Sequence, residues 1–421
     1  MDGAQVDDMT LGDLMRLFAR IGCLSFGGPA AQIALMHKEL VEDAKLMSEA
    51  EFLKALSFCM LLPGPEAMQL ATYAGWTLRG AVGGLIAGLL FVVPGAIVIT
   101  CLAGLYVSFG DVPLVQAAFV GIKAAVIIIV AQAILRLLKN ALNRADHRLI
   151  AVLAFVALFL FNLPFPVVIG VAALYGALAC RDRIEGPTNS LPWSKAVPPV
   201  LIGLPVWVLP VAVAWLFGAH FLTEIGLFFS WLAVVTFGGA YAVLAYMTQI
   251  VVTEFGWLST PQMIDALGLA ETTPGPLILV TQFVSILAGY GESGWGMAGL
   301  AGLMTLWVTF VPCFIWIFAG APFIDWLDQM PRIRAALAAV TAAVVGVIAS
   351  LSVWFAAHVW FADLSISDAG PLRILTPDWT SLDLRAVALT ALSAVLMLGL
   401  NWPLGRALVV LAGAGALIGL V

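Results

Sequence analysis

Two short runs of proline and glycine interrupt long apolar stretches of this chain. The first is Pro63-Gly64-Pro65, with Glu66 directly after it, and the second is Pro274-Gly275-Pro276 in the other half. Proline lacks an amide hydrogen and clashes with the carbonyl one turn earlier, so each run should end one helix and start another. A restarted helix presents free amide hydrogens and the positive end of its dipole, which together favour the binding of a small anion.

These runs belong to a larger duplicated pattern. Phe26-Gly27-Gly28 precedes the first run and Phe237-Gly238-Gly239 precedes the second, and each proline triplet begins 37 residues after its phenylalanine. The same offset of 211 residues pairs Ser48 with Ser259. Self-similarity at a fixed spacing indicates repeated architecture. Gly/Pro breaks at corresponding places in two halves of an apolar chain are typical of the binding site of a transporter.

Backbone groups at the breaks and the neutral polar side chains beside them are the predicted anion ligands. Pro29 should start a further helix after the first glycine pair, with Gln32 on its first turn. Gln69 shares a face with the residues that follow the first proline triplet, and Thr273 can cap the second restarted helix. The predicted ligands are Gly27, Gly28, Pro29, Gln32, Pro63, Gly64, Pro65, Gln69, Gly238, Gly239, Thr273, Pro274, Gly275 and Pro276.

Two cations are candidates for binding the anion. Lys123 and Arg20 each lie about ten residues into an apolar span, where a charged side chain is costly unless it faces a cavity or a counter-ion. Arg20 also comes shortly before Gly27. Both are therefore added to the predicted substrate-binding residues.

Two further side chains are candidates for carrying a proton. Glu66 follows the first proline triplet, where a carboxylate either caps the helix N-terminus or, held in a low-dielectric site, carries a proton. His37 stands where the first span ends and titrates near physiological pH. Asp265 and Glu271 precede the second break without a positive neighbour in sequence, and their roles stay open.

The composition predicts an all-α polytopic membrane protein. Hydrophobic residues make up 62% of the 421 residues and charged residues 10%, with a mean hydropathy of +1.05, whereas soluble domains carry roughly 25% charged residues. Cutting the chain at its polar breaks gives about 13 apolar segments of membrane-spanning type. They are 11–36, 52–77, 81–108, 113–138, 148–162, 164–180, 198–218, 222–250, 262–290, 295–319, 333–361, 384–399 and 402–421.

The count of spans predicts two inverted repeats with broken helices. Residues 1–185 form the N-terminal repeat, 186–220 a linker with one connecting transmembrane helix, and 221–421 the C-terminal repeat. Six spans precede the connecting helix, so the second repeat would enter the membrane from the opposite side. A cytoplasmic N-terminus and an outer C-terminus place Lys and Arg in four cytoplasmic loops, although loop 37–54 does not fit this bias.

Several other classes of function lack a sequence signal. The five cysteines are scattered singly, without metal-ligand spacing, and the chain has no nucleotide-binding loop or nucleophile motif. A net charge of −6 spread over loops gives no reason to expect a nucleic acid partner. We therefore expect no metal, no cofactor and no enzymatic activity, with the lipid bilayer as the surroundings.

The motifs resemble the signature of the chromate transporter family in its long, two-domain form. The resemblance is carried by the segment from Phe26 to Met36, by Leu62-Pro63-Gly64-Pro65-Glu66-Ala67-Met68-Gln69, and by their weaker copies in the second half. It implies a bacterial or archaeal inner-membrane protein that exports chromate and confers chromate resistance through proton-linked antiport. Thr248 stands opposite His37 and Leu277 opposite Glu66. A proton role is therefore expected of the N-terminal repeat alone.

Other functions remain compatible with the residues. A sulfate or other oxyanion carrier would present the same donors to a tetrahedral dianion of similar size. An anion channel or a membrane-embedded enzyme is a further alternative, and a homodimer is a possible assembly. Alternating access by one repeat rocking against the other is the expected mechanism.

Overall fold

The computed structural model is almost entirely helical and describes residues 9–110, 112–142, 144–180, 193–237, 240–328, 330–370 and 372–419. The chain forms two compact units. The first draws on Met1–Ala103, Asp182–Val243 and Thr273–Arg334, and the second on Gly104–Arg181, Leu244–Thr272 and Ala335–Val421. Each unit contains segments from both halves of the sequence, so the units do not coincide with the predicted repeats. The repeats at 1–185 and 221–421 were drawn from the duplicated motifs and stay a prediction.

The first half of the chain contains seven described helices and one π-helical turn, Lys38–Asp43. The helices are α1 (Leu11–Leu24), α2 (Gly28–His37), α3 (Glu49–Leu61), α4 (Glu66–Phe109), α5 (Pro113–Ala141), α6 (Ala145–Phe159) and α7 (Phe165–Ala179).

The connecting helix α8 (Trp193–Leu216) leads into the second half. Its longer helices are α9 (His220–Val235), α10 (Ala240–Gln249), α11 (Thr260–Thr272), α12 (Val280–Ser293), α13 (Trp295–Gly320), α14 (Ile324–Asp328), α15 (Pro331–Trp360), α16 (Leu384–Ala394) and α17 (Leu404–Gly419). Shorter turns are π-helical at Ile250–Glu254 and Val395–Gly399 and 3₁₀ at Leu277–Leu279, Ala321–Phe323 and Trp379–Ser381.

The breaks predicted from glycine and proline are present in the described residues. We name residues 25–27 and 236–237 the first and second Gly-Gly breaks, and residues 62–65 and 273–276 the first and second Pro-Gly-Pro breaks. A π-helical turn follows α2 and another follows α10, so the local sequence of elements is the same in both halves.

The duplication extends to a tight turn, which falls between predicted spans 52–77 and 81–108 in the first half and between 262–290 and 295–319 in the second. Helix α4 is two helical arms, because Arg79 and Gly80 have non-helical dihedral angles and Gly80 has φ +60°. Gly294 makes the corresponding turn between α12 and α13 with φ +78°. In α4 the two arms approach so closely at Gly75 and Gly83 that a side chain at Gly75 would overlap the Gly83 carbonyl. The glycines there are thus required by packing.

The second unit is held by close approach of α5 and α17. A Cβ at Gly121 of α5 would overlap the Leu411 carbonyl of α17, and one at Gly415 would overlap the Ala117 carbonyl. Helix α11 also packs on α5, with Gly268 facing Ile122. Small residues let these backbones meet without a driving force from water.

One β-hairpin departs from the helical expectation. Residues 362–383 lie between the predicted spans 333–361 and 384–399, and the structure forms strands β1 (Leu364–Ala369) and β2 (Leu372–Pro377) there. The strands pair antiparallel, with Leu364 opposite Pro377 and Ala369 opposite Leu372. Alternation is weak in this short polar segment, which explains why the pattern did not predict strands.

The helices are those of a multi-pass membrane protein. Five of them are long and apolar enough to cross a bilayer: Glu66–Phe109, Pro113–Leu135, Trp193–Leu216, Trp295–Phe323 and Pro331–Trp360. Several others are apolar but shorter, at 10–17 residues. Helices interrupted at mid-depth are tolerated in membranes where neighbouring protein satisfies the freed backbone groups.

Replacing Gly75 by alanine should destabilise the protein, because the new methyl group would overlap the Gly83 carbonyl. Overpacking of this kind costs about 1–3 kcal/mol, and we expect a lower midpoint of heat-induced aggregation for the purified protein in detergent. Gly104→Ala is the matched control, since nothing lies within 4 Å of its Cβ position. Equal midpoints for the two variants would contradict the packing argument.

Candidate functional site

Two backbone hydrogen bonds join the breaks of one half to the breaks of the other. The Gly64 amide donates to the Thr236 carbonyl at 2.8 Å, and the Gly275 amide donates to the Ser25 carbonyl at 2.8 Å. Both residue pairs are related by the same offset of 211. We call this reciprocal pair of bonds the crossing. All four residues belong to the first unit, so the crossing is a feature of that unit alone.

The carbonyls that accept these bonds end α1 and α9. Just past the helix end, the Ser25 hydroxyl donates back to the Ile21 carbonyl at 2.6 Å, and the Thr236 hydroxyl donates to the Leu232 carbonyl at 2.5 Å. Each hydroxyl thus satisfies one carbonyl of the last turn, while its own residue's carbonyl turns to the crossing. The carbonyl groups at the ends of α1 and α9 would otherwise lack hydrogen bonds, and in both helices a hydroxyl and a glycine amide satisfy them.

Glycine is required at the centre of each Pro-Gly-Pro break. Gly64 has φ +121° and Gly275 has φ +84°, a conformation that side chains disfavour. A Cβ at Gly64 would also lie 2.9 Å from both Cys313 Sγ and Gln69 Nε2. A Cβ at Gly275 would meet its nearest atom, Leu279 Cδ1, at 3.2 Å, so the close approach is tighter at Gly64 than at Gly275.

The two predicted glutamine ligands bond to the breaks themselves. Gln32 Nε2 donates to the Gly275 carbonyl at 2.6 Å, and Gln69 Nε2 donates to the Pro63 carbonyl at 2.7 Å. Both side chains are buried, and neither Oε1 atom has a hydrogen-bond partner in the described part of the chain. The glutamines therefore stabilise carbonyls released by the prolines, and each retains an oxygen that can accept a bond from a ligand or water.

A small cavity lies beside the crossing. Its volume is about 10 Å³, room for one water molecule, and its lining includes Gly64, Thr236, Thr281 and Thr309. The Thr309 hydroxyl is buried and has no partner among the described residues. A tetrahedral oxyanion is larger than this space, so the first unit is closed at this point.

The helix restarted after the first Pro-Gly-Pro break supplies free amide groups at the crossing. Its first bond of the helical pattern runs from the Gln69 amide to the Pro65 carbonyl at 3.1 Å. By helix geometry, the amides of Ala67 and Met68 have no carbonyl partner inside α4, whereas the Glu66 amide donates to its own carboxylate. After the second break, the Leu279 amide bonds to the Pro276 carbonyl at 2.9 Å.

The predicted charged residues make separate contacts within their own units. Arg20 Nη2 lies 3.2 Å from Glu39 Oε1, with 63% of the Arg20 side chain exposed. Glu66 is half-buried at the start of α4, beside the first Pro-Gly-Pro break. Lys123 belongs to the second unit, where its ammonium lies 2.8 Å from Asp265 Oδ1. Gly238 and Gly239 lie outside the described residues.

His37 forms a bridge between two carboxylates at the end of α2. Its Nε2 lies 2.6 Å from Glu49 Oε2, and its Nδ1 lies 3.1 Å from Glu42 Oε1. The hydrogen bond with Glu49, supported by Glu42, raises the pKa of His37 above its ordinary value of 6.5. Since both ring nitrogens face acceptors, the protonated ring satisfies both contacts.

The comparisons with known proteins agree with the duplicated pattern. A profile of the family described as chromate transporter matches residues 12–177 and again residues 223–420. The chain belongs to the chromate transporter family. The family match covers the Gly-Gly and Pro-Gly-Pro breaks of both halves.

Curated proteins are similar along most of this family member's length. The chromate transport protein of Cupriavidus metallidurans is 31% identical over 348 residues, which cover 80% of this chain and 81% of the relative. The probable chromate transport protein of Synechococcus elongatus is 31% identical over 344 residues, covering 81% and 83%. The chromate transport protein of Pseudomonas aeruginosa is 29% identical over 350 residues, covering 82% and 81%. No solved structure matches this chromate transporter family member.

A further buried glutamine lies on the helix that follows the second Pro-Gly-Pro break. Gln282 Nε2 donates to the Thr100 hydroxyl at 2.8 Å, and its Oε1 lacks a partner in the described part of the chain.

In the second unit, a cavity of about 210 Å³ is lined in part by Arg373, His358 and Gln249. Most of its walls are apolar, which suits an amphiphile better than a dianion. Pattern reasoning could not find this cavity, because the hairpin that carries Arg373 was itself not predicted.

Gly64→Ala should destabilise the protein more than a glycine substitution that shares only the positive φ. The new methyl group meets both the left-handed backbone penalty, about 1–2 kcal/mol, and the close contacts with Cys313 and Gln69. Gly256→Ala is the matched control, because Gly256 has φ +62° and nothing lies within 4 Å of its Cβ position. The comparison is made by heat-induced aggregation in detergent. A Gly64 variant as stable as the Gly256 variant would contradict the close approach.

The His37 bridge predicts a pH-dependent stability. A group whose pKa is raised on folding stabilises the folded state fully at a pH below its pKa in the unfolded chain, about 6.5. This stabilisation is lost as the pH rises through the pKa in the folded protein. We therefore expect thermal stability to fall across that window, and His37→Gln to flatten the profile. Glu49→Gln should weaken the dependence and keep part of it, since Glu42 remains. A profile unchanged in His37→Gln would show that another group causes it.

Proposed function

We propose that this protein moves chromate, or a dianion of the same shape, across the bacterial or archaeal inner membrane as a secondary transporter. The observation that carries the proposal is the crossing, where two helix breaks from different halves meet within one unit. Membership of the chromate transporter family supports chromate as the substrate. Relatives that bear the name chromate transport protein point the same way.

Backbone donors are proposed to bind the anion. The amides of Ala67 and Met68 have no carbonyl partner inside α4, and the helix dipole adds partial positive charge there. The glycine, proline and threonine residues predicted as ligands line or flank these breaks. The glutamines would contribute the second hydrogen of each amide group. Since the cavity beside the crossing holds about one water, binding requires the breaks to part, which is a natural gating step for alternating access.

Charge compensation and coupling are further parts of the proposal. Arg20, which belongs to the same unit as the crossing, would supply positive charge to the substrate, and Glu66 or His37 would bind a proton. Export against a gradient then follows from antiport with protons.

The N-terminus is proposed to be cytoplasmic and the C-terminus outside, with the two repeats inverted and a homodimer as a possible assembly. Sulfate, a tetrahedral dianion of similar size, is the expected competitor.

Transport is tested by adding radiolabelled chromate to everted membrane vesicles and measuring its uptake. Wild-type protein should accumulate chromate when a proton gradient is imposed and stop when the gradient is collapsed. Arg20→Gln and Glu66→Gln should each lower the rate by about tenfold, the effect of about 1.4 kcal/mol of lost binding or coupling. Excess sulfate should compete to an extent that measures selectivity.

Arg16→Gln is the control for Arg20, because Arg16 lies on the same helix in an exposed pair with Asp13 at 3.2 Å. It should transport at the wild-type rate. Uptake that is non-saturable and indifferent to the proton gradient would indicate a channel and contradict the proposal. Production of trivalent chromium by purified protein would instead indicate an enzyme.

A further inference from the structure

A buried ion pair in the second unit has no part in the crossing. Lys123 of α5 and Asp265 of α11 face each other, with Nζ at 2.8 Å from Oδ1. Only 20% and 10% of the two side-chain surfaces are exposed. The Tyr106 hydroxyl donates to the other carboxylate oxygen, Oδ2, at 2.8 Å. Three titratable side chains from three helices thus meet in an otherwise apolar region.

Packing alone does not account for this pair. Removing two charges from water is so costly that well-packed apolar residues often replace a buried ion pair without loss of stability. Helices α5 and α11 already contact each other through apolar surface, where Gly268 faces Ile122 and Val126. Ionisable residues retained inside a membrane protein typically mark the path of an ion or a proton.

The two oxygens of Asp265 differ in a way that suits proton binding. Oδ2 accepts a directed hydrogen bond from Tyr106. Oδ1 lies 2.8 Å from the Lys123 ammonium, and no other described group bonds to it. A proton can add at Oδ1 and form an O–H bond while Lys123 keeps its own protons. The pair then changes from neutral to a charge of +1.

Few other charges surround this site. Helix α17, which packs against α5 and α11, carries Arg406 near its start and no acidic residue in its described part. Helix α16 packs against α5 as well and carries only Arg385, also near its start. The described groups that face Asp265 are therefore Lys123 and Tyr106.

We propose that Lys123 and Asp265 form the proton-binding site that couples transport to the proton gradient, with Tyr106 positioning the carboxylate. This assignment rests on the proposed function. It moves Lys123 from substrate binding to coupling. It also departs from the expectation that the N-terminal repeat alone carries the proton role, because Asp265 lies in the C-terminal repeat, where Lys54 is its counterpart at the offset of 211.

A link to conformational change follows from the place of Asp265 in the chain. It lies about two helical turns before the second Pro-Gly-Pro break. Protonation removes the attraction that holds α11 against α5, so the helix that leads into the break becomes free to shift. A proton therefore biases one of two arrangements, which is what coupling requires.

The test uses purified protein in proteoliposomes with two readouts. One is accumulation of radiolabelled chromate driven by a pH gradient, and the other is exchange of internal for external chromate at equal pH. Asp265→Asn should lower driven accumulation by at least about tenfold while exchange stays within about twofold of wild type, because only the proton step is lost. Tyr106→Phe should keep driven accumulation and shift its pH profile.

The double variant Lys123→Met with Asp265→Leu guards against a folding defect. It removes both charges, so it should fold and exchange chromate yet fail to accumulate it. Asp13→Asn, which breaks the exposed pair with Arg16, is the control and should behave as wild type. Driven accumulation by Asp265→Asn at the wild-type rate would overturn the assignment, as would loss of both activities in the well-folded double variant. If wild-type protein transports chromate in neither assay, the proposed function itself is wrong.

Discussion

A backbone amide or carbonyl released from a helix inside a membrane has no water to bond, and each unmade bond costs several kcal/mol. Prolines at residues 63 and 65 release such groups in the first half, and Pro274 and Pro276 release them in the second. In each half, the released group bonds to a group from the other half. The Gly64 amide donates to the Thr236 carbonyl, and the Gly275 amide donates to the Ser25 carbonyl. The glycine conformations, the serine and threonine caps and the glutamine contacts all follow from that requirement.

Sequence reasoning predicted the breaks well because proline and glycine act locally. The end of α3, the start of α4 and the separation of α6 from α7 follow from residue types. The partners across the breaks were beyond its reach, since nothing local pairs Gly64 with Thr236. The Asp265 partner was missed for the same reason, as Lys123 lies 142 positions away. The hairpin at 364–377 was missed because its short polar strands carry little alternation.

The two halves share a backbone but differ in their side chains. Ser25 and Thr236 keep the same hydroxyl bond, whereas Gln32 reaches across to Gly275 and has no amide counterpart at Val243. Charged positions diverge further, with Glu66 opposite Leu277 and Lys54 opposite Asp265. The backbone bonds of the crossing are therefore the same in both halves, whereas the side chains around them differ and give the two halves different chemistry. Duplication supplies the geometry on which such a division can evolve.

The reciprocal form of the crossing has an evolutionary consequence. Because the amide of each half is satisfied by a carbonyl of the other, neither half has a complete interior by itself. A half-length ancestor would have met the same need by pairing with a second copy, in the self-complementary manner of a twofold dimer. Fusion of two copies into one chain then fixed their stoichiometry and released each from identity with its partner. At the two glycines of the crossing the backbone itself makes the contact, so these positions stay constrained in both halves.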